Sequence, residues 1–197
     1  FICILSIFRA GGCWIPVNVR NSVEDNSYIL ARNDCQILFF HSSLEDQVRE
    51  IKDSCPSIKV FICIDGHSEN GPSLRQFLAE SSSFLQAPPT KNNPDQITSL
   101  LATGGTTGLP KATMWSNSVW ECFVASFMLH MPTKRRPKYL VAAPMTHAAG
   151  VIALPLMAQG STTVVLDGVD PLKIMEAIEQ HGITHLFLPP TAIYMML

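Results

Sequence analysis

Ile97-Thr98-Ser99-Leu100-Leu101-Ala102-Thr103-Gly104-Gly105-Thr106-Thr107-Gly108-Leu109-Pro110-Lys111 is the stretch on which the reading of this chain turns. Ile97 to Ala102 is an apolar run of strand length that passes directly into three glycines and three threonines in six positions. Glycine lets the backbone take positive φ, so several N–H groups can turn toward one point, and that concavity suits phosphate oxygens. Thr103, Thr106 and Thr107 add hydroxyl donors, and Lys111 supplies a compact positive charge that can reach a polyphosphate. The spacing is not that of a Walker A loop, because Leu109 and Pro110 separate the last glycine from the lysine, and it is not the dinucleotide Gly-x-Gly-x-x-Gly.

On either side of this loop, short apolar runs alternate with helical patterns, which predicts an α/β fold of mostly parallel sheets flanked by helices. Upstream, Phe1 to Phe8 reads as helix, Gly11-Gly12 as its break, and Cys13 to Val17 as a short strand closed by Pro16. Ser22 with Asp25 reads as an N-cap for a helix through Ala31, followed by a strand from Gln36 to Phe40. Leu44, Val48 and Ile51 mark one face of a helix, and Ile58 to Ile64 is a strand that stops at Asp65-Gly66. From Ser68 to Pro94 the composition shifts to Ser, Pro, Asn and Gly around one short helical piece, Leu74 to Ala79. Downstream of the loop, a helix near Ser118 to Leu129 leads to a strand at Tyr139 to Ala142, an apolar helix ending at Ala158 and a strand at Thr162 to Leu166. Asp170-Pro171 caps a helix through Gln180; Thr184 to Leu188 is a strand and Pro190 opens a last helix. The organisation read from this pattern is an α/β part at 1–67, a connector at 68–96, and a part at 97–197 that carries the phosphate loop.

Composition narrows the function further. The 197 residues hold 14 Lys+Arg against 16 Asp+Glu, a net charge of -2, and Lys134-Arg135-Arg136 is the longest run of like charge. This lacks the concentrated basic face that a duplex nucleic-acid binder needs, and that run is most simply a solvated loop. The longest apolar stretch, Ala148 to Ala158, is well short of the roughly 20 residues that span a bilayer and contains Gly150 and Pro155. Six cysteines without a Cys-x-x-Cys pair lie in apolar runs, which points to buried free thiols in a reducing, cytoplasmic setting. Phe1 to Leu5 has neither an initiator Met nor a basic leader and reads as a cut inside a longer chain. His181 and His185 are four apart, but Gly182 breaks any shared helix and no further ligand completes a metal set.

Thr103 to Lys111 resembles the signature Thr-Ser-Gly-Thr-Thr-Gly-x-Pro-Lys of the adenylate-forming enzymes, the family of acyl-CoA synthetases, luciferases and peptide-synthetase adenylation domains, with Gly104 in place of the usual Ser. The resemblance extends to Ala10-Gly11-Gly12 with Pro16-Val17, to Tyr28-Ile29-Leu30 with Asp34, to Pro144-Met145-Thr146-His147-Ala148-Ala149-Gly150, which is similar to Pro-Leu-x-His-x-x-Gly, and to Leu188-Pro189-Pro190-Thr191. It implies that Thr103, Gly104, Gly105, Thr106, Thr107, Gly108 and Lys111 bind the phosphates of ATP with Mg²⁺. It also implies that His147, with Ala148, Ala149 and Gly150 beside it, contacts the carboxylic acid. Gly104 removes one hydroxyl donor, worth roughly 0.5–1.5 kcal/mol if that donor faced the phosphate. Val151, Ile152, Leu154, Leu156 and Met157 read first as core and second as acyl-pocket lining.

The implied reaction is that of an AMP-forming acyl-CoA synthetase, which joins a hydrophobic acid to coenzyme A by way of an acyl-adenylate. The alternatives are an adenylation domain that loads a carrier protein and a nucleotide-binding module without catalysis. The family's downstream segments, Tyr-Gly-x-Thr-Glu, Thr-Gly-Asp and a lysine in a mobile C-terminal domain, do not occur in these residues. The resemblance therefore implies an internal piece of the large N-terminal domain, inactive by itself, whose missing partner is its own C-terminal domain.

Overall fold

The computed structural model describes residues 1–80, 93–103 and 111–197. Contacts divide the chain into two units, Phe1–Asn117 and Ser118–Leu197. In the first, α1 (Ile2–Arg9) stops before Gly11, whose φ of +74° is the left-handed conformation that glycine takes without strain. The strand expected at Cys13 to Val17 is a single bridge: Trp14 N–H donates to the Thr98 carbonyl at 2.8 Å, and Leu100 N–H donates to the Trp14 carbonyl at 2.9 Å. Pro16 has no N–H with which to extend that ladder. α2 (Val23–Arg32) opens on Ser22, whose Oγ accepts from Asp25 N–H at 3.0 Å and donates to the Asp25 carboxylate at 2.8 Å.

The first parallel pair is β1 (Ile37–Phe40) beside β2 (Val60–Cys63), in register from Ile37 opposite Val60 to Phe40 opposite Cys63. The crossover between them is α3 (Glu45–Ser54), which turns Val48 and Ile51 into a core with Leu30, Leu38, Phe40 and Phe61. Cys35, Cys55 and Cys63 are buried in that core as free thiols, and burial pushes the Cys35 thiol up to about 11. The expectation that all six cysteines are buried is not met: Cys13 and Cys122 are exposed and Cys3 is half-buried. Neighbouring apolar letters do not fix which side of a short segment faces inward.

α4 (Leu74–Glu80) follows, and then β3 (Ile97–Thr103) pairs antiparallel with β4 (Lys111–Ser116), Thr103 facing Lys111. The sequence reading runs from the loop straight to a helix and omits β4. Lys111 to Ser116 mixes Lys, Ala, Thr, Met, Trp and Ser without period-2 alternation, and it is extended because β3 offers it a ladder. Trp14 bonds to β3, so β3 and β4 fall in the first unit; the parts read from composition group them instead with the residues after them.

The second unit takes up the chain within α5 (Asn117–His130), where Trp120 is buried edge-on to Phe123, their ring centroids 6.0 Å apart. β5 (Lys138–Val141) is the central strand of a parallel sheet, between β6 (Thr162–Val165) and β7 (His185–Phe187). Leu140 and Ala142 pack with Ile174 and Ala177 of α7 (Pro171–His181), so Tyr139 and Val141 point to the opposite face. α6 (Ala148–Ala158) connects β5 to β6, and α8 (Pro190–Met196) ends the chain. Asp170 caps α7 by accepting from Leu172 and Lys173 N–H, and Gly182 closes it at φ +60°. Among the described residues no helix is long and apolar enough to cross a membrane.

Candidate functional site

The sequence places its site residues on two segments, one in each unit, and each segment stands here by itself. In the first unit, Thr103 is the last residue of β3 and Lys111 the first of β4, directly across the ladder. Gly104, Gly105, Thr106, Thr107 and Gly108 lie outside the described residues. A two-stranded antiparallel ladder therefore fixes both ends of the glycine–threonine loop, and the Lys111 side chain is exposed where β4 begins.

In the second unit, β5 runs into a tight corner before α6. His147 N–H donates to the Pro144 carbonyl at 3.2 Å, and the His147 carbonyl accepts from Gly150 and Val151 N–H at 3.0 and 3.2 Å. His147 is thus the N-cap residue of α6, with its side chain exposed and making no cap bond. Ala148 is exposed beside it, whereas Ala149 and Gly150 are buried. Gly150 is there for close approach: a Cβ at that position would collide with the Met145 carbonyl oxygen. The room these small residues leave is partly filled by the chain itself, and what faces outward at the corner is His147 and Ala148. Helix α6 carries no charged residue, and its Ala153, Pro155 and Leu156 are buried, so core packing is its first role.

Tyr139 holds this corner and sequence reading missed it. Its ring is 1% exposed, and its hydroxyl donates to the Ala149 carbonyl at 2.8 Å. Burial pushes the phenol up to about 12, so it remains a donor throughout the physiological range. The signal was present in Tyr139-Leu140-Val141, a central parallel strand buried on both faces, where a tyrosine needs an internal partner.

A second polar cluster lies where β1 and β2 end. Asp65 accepts from Ser42 N–H at 2.7 Å and from Ser42 Oγ at 2.6 Å, and its carboxylate lies 3.2 Å from His41 Nε2. Ser43 Oγ is 2.9 Å from His41 Nδ1, so the three groups superficially form a Ser-His-Asp relay. Ser43 N–H also donates to Nδ1 at 3.1 Å, however, and a nitrogen that caps a helical turn is not a free base. A groove of about 340 Å³ lined by Leu166, Asp167, Gly168, Asp170 and Lys173 opens at the end of β6, and it contains none of the candidate site residues read from the sequence. No cluster of three His, Cys, Asp or Glu fit to hold a metal occurs among the described residues.

Comparison with known proteins gives these features a family. The AMP-binding enzyme family matches residues 1–197, the whole of the chain. Feruloyl-CoA synthase from an Amycolatopsis species is 27% identical over 188 residues, which cover 93% of this chain and 34% of that enzyme. The chain thus spans about a third of the length of the curated relatives it matches. In structure, a long-chain-fatty-acid-CoA ligase from Archaeoglobus fulgidus superimposes with a TM-score of 0.85 at 20% identity, covering 99% of this chain and 38% of that one. An amide bond synthetase from Marinactinospora thermotolerans gives a TM-score of 0.81 at 22% identity, over 98% of this chain and 36% of that one. The α/β sheets, the loop anchored between Thr103 and Lys111, and a match that runs from the first residue to the last place this chain in the AMP-binding enzyme family.

Proposed function

We propose that the protein carrying this chain is an AMP-forming acid:thiol ligase acting in the cytoplasm, and that it activates a hydrophobic carboxylic acid for transfer to coenzyme A. The observation that carries the reading is the Thr103–Lys111 loop, a nine-residue phosphate-binding pattern strung between paired strands in a chain of the AMP-binding family. In the first step a carboxylate oxygen of the acid bonds to the α-phosphorus of ATP, the bond from that phosphorus to the bridging oxygen breaks, and pyrophosphate leaves. In the second the thiol of coenzyme A attacks the acyl carbon, its proton passes to solvent, and AMP leaves.

The carboxylate is already a competent nucleophile, so the protein's task is to position the reactants and offset charge. Thr103, Gly104, Gly105, Thr106, Thr107 and Gly108 present N–H and hydroxyl donors to the β- and γ-phosphates, and Lys111 neutralises part of their charge. Mg²⁺ held with the phosphates would screen the charge that repels the incoming carboxylate. His147 and Ala148 border the acid, while Ala149 and Gly150 shape the corner that presents them. The exposed His147 side chain and the N-terminus of α6 both favour an anionic group at that point. Free cysteines and relatives named as CoA ligases support the compartment and the acceptor.

Acid-dependent ATP–pyrophosphate exchange by the complete protein, over fatty, aromatic, ring-bearing and amino acids with and without coenzyme A, tests the reading. Exchange with a hydrophobic acid, and its thioester when coenzyme A is added, is the expected result. Exchange without a thioester would point to an amine or a carrier-protein thiol as acceptor. ATP binding without any exchange would make the protein a nucleotide-binding module. In the same assay Lys111→Ala raises the KM for ATP about tenfold or more, the size expected for losing a charge-assisted contact.

A further inference from the structure

We propose that Tyr139 is a positioning residue for the acid site, its hydroxyl fixing the first turn of α6 through the Ala149 carbonyl and so setting where His147 stands. The inference rests on the reading of His147 given above and adds to it the group that holds the histidine in place.

Several contacts converge on the segment from Pro144 to Val151. His147 N–H closes a turn onto Pro144, and the His147 carbonyl receives two N–H groups from the first turn of the helix. Gly150 lies against the Met145 carbonyl with no space for a side chain. These contacts make the corner stiff within itself, yet each joins residues of the same segment. Tyr139 differs because it reaches the corner from β5, ten residues away, the middle strand of the three-stranded sheet. Tyr139 faces Thr163 of β6 on one side and His185 of β7 on the other, so its backbone is held along both edges.

A helical carbonyl has two lone pairs and spends one on the helix, which leaves the other for a side-chain donor. Ala149 is two residues beyond His147. Tilting or sliding the first turn of α6 at Ala149 therefore moves the exposed imidazole with it. The hydroxyl is shut off from water, so a corner displaced from its place strands a buried donor, and the displaced state is correspondingly rare.

The experiment is a double-mutant cycle in the complete protein, read by KM for acid and KM for ATP in pyrophosphate exchange. Tyr139→Phe keeps the ring and is expected to raise the KM for acid about three- to tenfold while the KM for ATP stays within about twofold. In a His147→Ala background the same change is expected to alter the KM for acid by less than about twofold, because the group being positioned is gone. If Tyr139→Phe raises both KM values together, or has its full effect without His147, the tyrosine is a structural residue and the proposal is overturned. If His147→Ala leaves acid dependence unchanged, the acid-site reading itself fails and the positioning role with it. Should Tyr139→Phe not fold, 3-fluorotyrosine at position 139 preserves the packing and strengthens the donor. It is then expected to shift the KM for acid by about twofold, and an unchanged value overturns the proposal.

Discussion

The two parallel sheets solve the same problem, leaving a strand and entering a helix, with opposite chemistry. In the first unit the chain leaving β1 is tied to the end of β2 by Asp65, a carboxylate at the surface that gathers Ser42 and His41. In the second the chain leaving β5 is tied down by Tyr139, a neutral hydroxyl buried against the Ala149 carbonyl, and by the close fit of Gly150 on Met145. A charged, wet clasp depends on pH and is weakened by solvent; a neutral, dry clasp is indifferent to pH and fixes position tightly. The stiff corner is the one that presents His147.

The contrast can be broken most forcefully at Gly150. Gly150→Ala drives a methyl group into the Met145 carbonyl and is expected to destabilise the second unit by about 3 kcal/mol, read as a lower urea midpoint. A midpoint unchanged by this substitution would mean that the corner is loose. Helix caps sharpen the comparison by serving as a control. Ser22→Ala in the first unit and Asp170→Ala in the second should each cost about 1 kcal/mol, since local capping is the same device in both.

A smaller, pH-limited effect separates the clasps themselves. Donation from the Ser42 hydroxyl and N–H, then from Cys63, with the nearby His41 adding attraction, holds the Asp65 carboxyl down at about 2. An ordinary aspartate in the unfolded chain titrates near 3.9, so between these values the folded chain binds fewer protons than the unfolded one. The contribution of Asp65 is therefore complete above about pH 4 and lost as pH falls toward about 2. Asp65→Asn should flatten that acid limb of the stability curve, whereas Tyr139→Phe should shift the curve without changing its slope. An unaltered acid limb in Asp65→Asn would count against the charged clasp. The smallest change is expected for Gly66→Ala at the first unit's exit, where a Cβ meets nothing within 4 Å, and stability should stay within about 0.5 kcal/mol.

Elements with their own local signal were legible in advance. Ser22-x-x-Asp25 and Asp170-Pro171 announced α2 and α7 because a cap is chemistry between near neighbours, and the structure shows both bonds. The alternation of short apolar runs with helical patterns pointed to the parallel pairs of both units, because a parallel partner needs a long crossover and an intervening helix supplies it. β4 was invisible because its residues are extended only by pairing with β3, and the Cys13–Val17 strand shrank to one bridge because Pro16 cannot donate. The left-handed turn after α2 falls on Asp34, at φ +50°, with no glycine to mark it.

For the site the division is similar. Sequence alone carried the reading of Thr103 to Lys111 as a phosphate loop and of Pro-x-x-His-x-x-Gly as an acid-site corner, because glycine conformations, hydroxyl donors and a lysine charge act through residues adjacent in the chain. Tertiary structure alone decided that β4 anchors the far end of that loop, that Ala149 and Gly150 turn inward while His147 and Ala148 stay exposed, and that Tyr139 ties down the corner. Each of these depends on a partner distant in sequence or on which face of an element meets a neighbour. A linear pattern does not encode that until the sheet has brought the two together.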